Sequence, residues 1–363
     1  MNRKYLLAMG ITLLFLGVTI NPAIATIDSP IKPISSGNTL YVGGTGEGNY
    51  TKIQDAINDA NDGDTVFVFN GTYYENILVN KSMNLIGENK ETTIVDGNGT
   101  GNVVIIPKSS VNISGFTIRN GNDGINIRSN NCTIKDNIIS LNVQGIYLER
   151  NSKNNIIGGN RITLNNHYGV IVHSFSYNNT IIGNTITSNN RCGIFIDFSE
   201  NTTIITNTIS SNTDAGIIEN FGRASEISGN NISYNEDGII LYASQYGNYT
   251  NNNISNNKYG IYLEATLHST IECNNIANNL IGLSMFNNGY ILIRKNNFIK
   301  NNNNHTNYFL FFAIRYDSNY WDDWIGVKIK LPFFQKFPKI IWYRVSIRPK
   351  IDWHPASEPY DIL

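Results

Sequence analysis

The stretch Asn252-Asn253-Ile254-Ser255-Asn256-Asn257-Lys258-Tyr259-Gly260-Ile261-Tyr262-Leu263 carries the three signals on which the fold is read: a glycine, an apolar alternation after it, and two asparagines, Asn252 and Asn257, before it. Glycines in the same context stand at Gly124, Gly145, Gly169, Gly193, Gly216, Gly238, Gly260 and Gly282, with spacings of 21, 24, 24, 23, 22, 22 and 22 residues. Each opens a short strand. In Gly145-Ile146-Tyr147-Leu148 the alternation sends Ile146 and Leu148 to one face and Tyr147 to the other, and the first face is the predicted aliphatic interior.

Asparagine sets a second register. Asn137, Asn160, Asn184, Asn207, Asn230, Asn252, Asn274 and Asn296 each precede an apolar residue by two positions, from Ile139 to Phe298. Three residues beyond that apolar position stand Asn142, Asn165, Asn189, Asn212, Asn235, Asn257, Asn279 and Asn301. Asparagine suits corners because it tolerates left-handed backbone angles, and stacked amides can bond to the coils above and below. A low-complexity disordered chain would not hold two polar columns in register with an apolar one.

Units this short cannot bury their apolar residues alone and must stack, about 4.8 Å apart as neighbouring strands do. The predicted fold is all-β, a right-handed parallel β-helix, the hand following from the preference for right-handed crossovers. Its ends must be covered. Residues 50–60 have helical spacing and are stopped by Asn61-Asp62-Gly63-Asp64, which predicts a short capping helix. From about His305 onward the asparagine columns stop and aromatics take over, with Trp321, Trp324, Trp342, Trp353 and the run Lys330-Leu331-Pro332-Phe333-Phe334. That segment reads as an aromatic C-terminal cap or as a sugar-stacking or partner-docking surface. The expected divisions are a signal peptide at residues 1–25, a linker at 26–39, an N-terminal cap at 40–63, β-helix repeats at 64–303 and a C-terminal cap at 304–363.

The signal-peptide reading rests on Arg3 and Lys4, an apolar run from Tyr5 to Ile20, and Ala23-Ile24-Ala25. It predicts a secreted or envelope-associated product with no membrane span after cleavage. The chain has 27 basic and 28 acidic residues, and loss of Arg3 and Lys4 leaves a small net negative charge. Such a surface gives no electrostatic reason to expect nucleic acid or anionic membranes as partners. Cys132, Cys192 and Cys273 fall at different offsets in their repeats and read as small buried or semi-buried fillers. Asn-x-Ser/Thr triplets from Asn49 to Asn304, including Asn98-Gly99-Thr100, would allow glycosylation of an exported chain.

Residues 40–97 resemble the start of pectin-lyase-like proteins, including the NosD-like secreted families abundant in archaea. The likeness is carried by Thr51-Lys52-Ile53-Gln54-Asp55-Ala56-Ile57, Gly63-Asp64-Thr65-Val66, Gly71-Thr72-Tyr73-Tyr74-Glu75-Asn76 and Asn84-Leu85-Ile86-Gly87. Asn319-Tyr320-Trp321-Asp322 and Glu358-Pro359-Tyr360 are similar to the close of NosD-like chains. The resemblance implies the β-helix fold, which serves lyases, hydrolases, esterases, adhesins and passive carbohydrate binders alike. The copper that the NosD label implies would want His, Met and Cys in paired spacing, and the mature chain offers only five histidines, Met83, Met285 and three cysteines with no such pairing, so no cofactor is expected.

Two constellations could carry chemistry. Four positions after the glycines run Arg128, Glu149, His173 and Asp197, on successive coils. Glu149 and Asp197 would stand two strand spacings apart, about 9.6 Å at the backbone, and could act as acid and base of a glycoside hydrolase with His173 positioning substrate. The same trio could hold a divalent metal, or be a solvated face of weak ion pairs. Just before the glycines lie Asp214, Glu236 and Asp237, flanked by Arg191 and Lys258. Asn212-Thr213-Asp214 followed by an acidic pair is similar to polygalacturonase motifs, but Lys258-Tyr259-Gly260 stands where that family has Gly-His-Gly. Pectin methylesterase likeness stops at Gly71-Thr72-Tyr73-Tyr74-Glu75.

Two positions after the glycines, Asn126, Tyr147, Ile171, Phe195, Ile218, Ile240, Tyr262 and Ser284 should point outward, an apolar row that marks packed loops or a binding strip. Tyr147 and Phe195, with Arg128, are the candidate substrate contacts. The function expected is a non-catalytic scaffold binding a polysaccharide or a glycoprotein surface, the alternative being a glycoside hydrolase.

Overall fold

The computed structural model describes residues 37–308, 313–323, 339–341, 350–352 and 354–362. The signal peptide, most of the linker, Trp324, Trp342, Trp353 and the Lys330 to Phe334 run lie outside the described residues. The described chain winds into three sheets of 15, 11 and 12 strands, each strand pairing in parallel with its counterpart one coil away except Lys339–Ile341, which pairs antiparallel with Lys350–Asp352 at the end of the first. A typical coil contributes Gln144–Leu148 to the glycine sheet, Ile156–Gly158 to a second sheet and Arg161–Thr163 to a third. Every glycine column, apolar column and asparagine column of the sequence becomes a vertical row of neighbours.

The interior is built from the aliphatic alternation. Ile146, Leu148, Ile261 and Leu263 are fully buried, as are Ile139, Ile162 and Ile186 of the third sheet. The glycines are required by close approach. A Cβ on Gly145 would stand 2.3 Å from the Gly169 carbonyl oxygen and 2.8 Å from Ile162 Cγ2, so the glycine sheet meets the corner beside it only where no side chain intervenes.

The asparagine columns are continuous amide ladders. Asn207 Oδ1 accepts from the Asn184 main-chain N–H at 2.9 Å and from Asn184 Nδ2 at 3.0 Å, while Asn207 Nδ2 donates to the Ile181 carbonyl at 2.9 Å. The second column repeats this, with Asn212 Oδ1 accepting from Asn189 N and Nδ2 at 3.1 and 2.9 Å. Each rung thus satisfies a buried corner N–H and adds a hydrogen bond to a strand carbonyl of the coil before it. The left-handed backbone falls elsewhere than the sequence suggested. It belongs to the residue before each rung, such as Leu141, Leu164, Thr206 and Ser211, and the rungs are kept for their side-chain amides.

At the N-terminal end the helix is Ile53–Asp59, shorter than its periodic stretch, because Tyr50 is drawn into a bridge with Val42 and its hydroxyl donates to Asp59 Oδ2 at 3.0 Å. Ile53, Ala56 and Ile57 are buried, and the free N–H groups of Ile53 and Gln54 donate to the two carboxylate oxygens of Glu75 at 2.9 and 3.0 Å. Gln54 exchanges two hydrogen bonds with the Leu78 backbone, at 2.8 and 3.3 Å, covering the edge of the glycine sheet. The Gly71 to Glu75 motif is therefore explained by capping. At the other end, the Trp321 ring lies flat on Phe298 at 4.2 Å, and Asn297 and the Tyr360 backbone exchange two hydrogen bonds of 2.8 Å.

One coil breaks the aliphatic rule. Glu219 occupies an inward position, fully buried, and accepts a 2.8 Å hydrogen bond from the hydroxyl of buried Tyr249. Gly222 and Gly247 make the room, since Cβ atoms there would fall 1.9 Å from Glu219 Oε1 and 2.1 Å from the Tyr249 hydroxyl. Burial raises the Glu219 pKa, outweighing the hydroxyls of Ser225, Tyr249 and Ser244 that lower it.

Candidate functional site

The outward face of the glycine sheet gathers both sequence-derived constellations. Its register pairs Asn126 with Tyr147, Tyr147 with Ile171, Ile171 with Phe195, and onward through Ile218 and Ile240 to Tyr262 and Ser284. The row packs against its neighbours on the same face. Tyr168 lies 5.2 Å from Phe195, Tyr242 and Tyr259 lie 5.9 and 5.8 Å from Tyr262, and Cys192, Ala215 and Ile240 are buried among them. Phe195, Tyr147 and Tyr262 stay half-buried, so apolar surface persists along several coils.

Arg128, Glu149, His173 and Asp197 follow aligned strand residues on successive coils, since Leu148 pairs with Val172 and Val172 with Ile196. Their side chains form two separate pairs, Arg128 with Glu149 and His173 with Asp197 through Ser174 Oγ. Arg128 Nε is shared between Glu149 Oε1 at 3.0 Å and Asn126 Oδ1 at 2.8 Å, and Asn126 Nδ2 donates to buried Asp123 at 2.7 Å. His173 Nδ1 accepts the Ser174 N–H at 2.6 Å, and its ring meets Tyr147 edge to face at 5.8 Å. Asp197 accepts from Asn220 Nδ2 at 3.3 Å and from Ser174 Oγ at 3.4 Å. No hydrogen bond joins any two of Glu149, His173 and Asp197. Tyr147 nonetheless senses the carboxylates around it: its phenol is pushed up by burial and then by Glu149, Asp123 and Asp197.

The second set lies at the other margin of the face. Arg191 Nε stands 3.7 Å from Asp214 and Lys258 Nζ 2.7 Å from Glu236. These cations also lie over rings, Arg191 over Tyr168 at 5.4 Å and Lys258 over Tyr259 at 5.6 Å. Asp237 differs from its neighbours. Its Oδ1 is buried with no hydrogen-bond partner, and burial, reinforced by the charge of Glu236, pushes its pKa up to about 6. Such a carboxyl can carry a proton near neutral pH, which a general acid requires. Among the described residues, no group of three His, Cys, Asp or Glu side chains is placed to hold a metal ion.

Tyr168, Tyr242, Tyr259, Tyr262 and Glu264 complete the face, Tyr262 donating to Glu264 Oε2 at 2.8 Å, and sequence reasoning did not assign them as contacts. The signal was present, because Tyr168 and Tyr259 stand immediately before their glycines. A further exposed aromatic column runs along the adjoining corner, where Tyr246, His268 and Tyr290 stack at 5.2 and 4.6 Å.

Residues 75–230 and 176–313 match the family model described as right handed beta helix region. The chain belongs to this family. Over 93 residues it is 40% identical to a protein named cell surface glycoprotein from Methanothermus fervidus, a match that covers 25% of this chain and spans only 16% of that protein. Among solved structures, it is similar to the A-module of the mannuronan C-5 epimerase AlgE4 of Azotobacter vinelandii, with a TM-score of 0.58, 15% identity, and coverage of 76% of this chain and 100% of that one. It is also similar to the GH136 lacto-N-biosidase of Eubacterium ramulus, with a TM-score of 0.53, 12% identity, and coverage of 77% and 68%. At such identities the right-handed β-helix fold is what is shared.

Proposed function

We propose that this chain is an exported, cell-surface β-helix that binds polysaccharide along the outward face of its glycine sheet without turning it over. The observation that carries the reading is the strip from Tyr147 through Phe195 to Tyr262, several coils long, with half-buried rings at its surface and polar groups along both margins. Half-buried rings stack on the C–H faces of sugars, and the carboxylates and amides beside them offer hydrogen bonds to hydroxyls. The named likeness to a cell surface glycoprotein supports the location, and the fold shared with proteins named as an epimerase and a biosidase supports the ligand class. The ion pairs Arg128 to Glu149, Arg191 to Asp214 and Lys258 to Glu236 leave most of the acidic groups occupied, which favours binding over acid and base work.

A glycoside-hydrolase reading has one specific observation in its favour, Asp237, whose Oδ1 has no hydrogen-bond partner and whose pKa is pushed up to about 6. In that case Asp237 is the acid, with Asp214 or Glu236 as its partner. A glycan-binding screen of the mature protein, run beside an assay for released sugars, separates the two. Binding that weakens about tenfold in Phe195→Ala and Tyr262→Ala, with no release, supports the scaffold. Release that disappears in Asp237→Asn makes the chain an enzyme.

A further inference from the structure

A recess of about 410 Å³ opens away from that strip, at the corner between the third sheet and the glycine sheet near the N-terminal end of the solenoid. Its lining includes Tyr74, Asp96, Asn98, Asn122, Leu141 and Asn166, drawn from several successive coils. We propose that it is a binding site for a neutral saccharide unit, separate from the face of the glycine sheet.

The walls and floor are preorganised. Residues 97–102 interrupt the regular corner and are pinned by Asn76 Nδ2, which donates to the Thr100 and Asn102 carbonyls at 2.8 and 2.9 Å, and by Gly99 N–H on the Asn120 carbonyl at 2.7 Å. Tyr74, 69% exposed, presents a ring, and Leu141, 50% exposed, presents an aliphatic surface. Polar groups converge between them. The side-chain amides of Asn98, Asn122 and Asn166 are exposed and make no hydrogen bond within the protein, so their donors and acceptors are available to a ligand.

The floor decides the ligand's charge. Asp96 is buried, and its oxygens already accept from the Asn98 N–H at 3.0 Å, Arg119 Nε at 2.8 Å and Asn120 Nδ2 at 2.9 Å. The Arg119 guanidinium offsets its charge, and three of its roughly four acceptor positions are already taken, which leaves little to draw in a cation. An anion would meet the same compensated pair. What remains is a polyhydroxylated, uncharged molecule, with C–H faces for Tyr74 and Leu141 and hydroxyls for the amides. The volume lies in the usual range for small-ligand sites.

Asn98 itself heads the triplet Asn98-Gly99-Thr100, so the sugar could be free or attached to this side chain. The test uses the mature protein made in a host without N-glycosylation, titrated by calorimetry and by NMR of its side-chain amides with the methyl glycosides of glucose, galactose, mannose and N-acetylglucosamine. Binding of at least one glycoside at the recess, seen as shifts of the Asn98, Asn122 and Asn166 side-chain amide signals and weakened about tenfold in Tyr74→Ala and in Asn122→Leu, is the expected result. Because Tyr74 is exposed, its variant folds, and an unchanged melting midpoint checks this. Absence of these shifts with all four glycosides, or shifts that survive Tyr74→Ala, overturns the proposal while leaving the sheet-face reading standing. Protein from an N-glycosylating host then separates the two sources. A glycan on the Asn98 peptide that blocks the glycosides until Asn98→Gln frees the site makes the sugar the chain's own, and an unmodified Asn98 with unchanged binding makes it a free one.

Discussion

The main-chain N–H and the Nδ2 of Asn319 both donate to Oδ2 of Asp352, at 3.0 Å each, in the place where every earlier rung of that column finds an asparagine amide oxygen. Asp352 is fully buried and also accepts from Trp321 Nε1 at 3.2 Å and from the Ser318 and His354 N–H groups at 3.1 and 3.2 Å. An amide ladder needs a last acceptor that asks for none in return, and an ionised carboxylate is that group. Asp352→Ala strands several buried donors and should cost about 3 kcal/mol or more locally. Because a solenoid responds mainly through nearest neighbours, hydrogen exchange should accelerate in Leu292–Arg294 and Arg315–Asp317 while Gln144–Leu148 keeps its protection. Uniform acceleration over all coils would show that the carboxylate is no terminator.

The ladder makes opposite predictions for adjacent residues. Asn207→Ala removes an acceptor for two donors and leaves the Ile181 carbonyl with one partner fewer, a loss of about 2–4 kcal/mol. Thr206, beside it, holds a β-branched side chain at φ 55°, where glycine is unstrained. Thr206→Gly should therefore raise stability by up to about 1 kcal/mol in chemical denaturation. If Thr206→Gly instead weakens the protein as Asn207→Ala does, the division between backbone corner and amide rung is wrong.

Glu219 gives the interior a pH dependence. Its folded pKa is raised, so the folded chain holds a proton that the unfolded chain has lost once pH passes the ordinary glutamate range. Stability is therefore greatest below that range and falls as pH rises toward the folded pKa, with a limiting slope of about 1.4 kcal/mol per pH unit. Glu219→Gln keeps an acceptor for the Tyr249 hydroxyl and removes the titration. Its denaturation midpoint should match the parent at pH 4 and exceed it at pH 8; equal midpoints at both would show that the Glu219 site carries no raised pKa.

Asp237 acts in the same sense on the outer face. The window is set by its shift from 3.8 to about 6, so the parent loses stability as pH rises between those values, and Asp237→Asn should not. Melting curves at pH 4 and pH 7 of both proteins read the difference directly.

What the sequence disclosed follows from repetition. Gly124 to Gly282, Ile139 to Phe298 and the two asparagine series recur at nearly constant spacing, so each becomes a column once the coils stack, and the outward row at Tyr147, Phe195 and Tyr262 follows by alternation. Non-repeating features were hidden. Glu219, Gly222, Gly247 and Tyr249 each break a different column, and only packing shows that they fill one space. Asp352 is far from Asn319 in sequence and sits in no series. The recess beside Tyr74 depends on residues 97–102, an insertion with no counterpart in later coils. The candidate site was legible as rows of side chains. Which carboxylates are paired with Arg128, Arg191 or Lys258, and that Asp237 Oδ1 is left without a partner, required the side-chain geometry.

The most direct test of the surface-binding account is co-sedimentation of the mature protein with insoluble polysaccharides across a range of linkages, with soluble sugars measured in the same tubes after long incubation. The account predicts retention on at least one polysaccharide, a loss of about tenfold in affinity for both Phe195→Ala and Tyr262→Ala, and no sugar released. Retention untouched by these substitutions, or sugar released by the parent and not by Asp237→Asn, would contradict it.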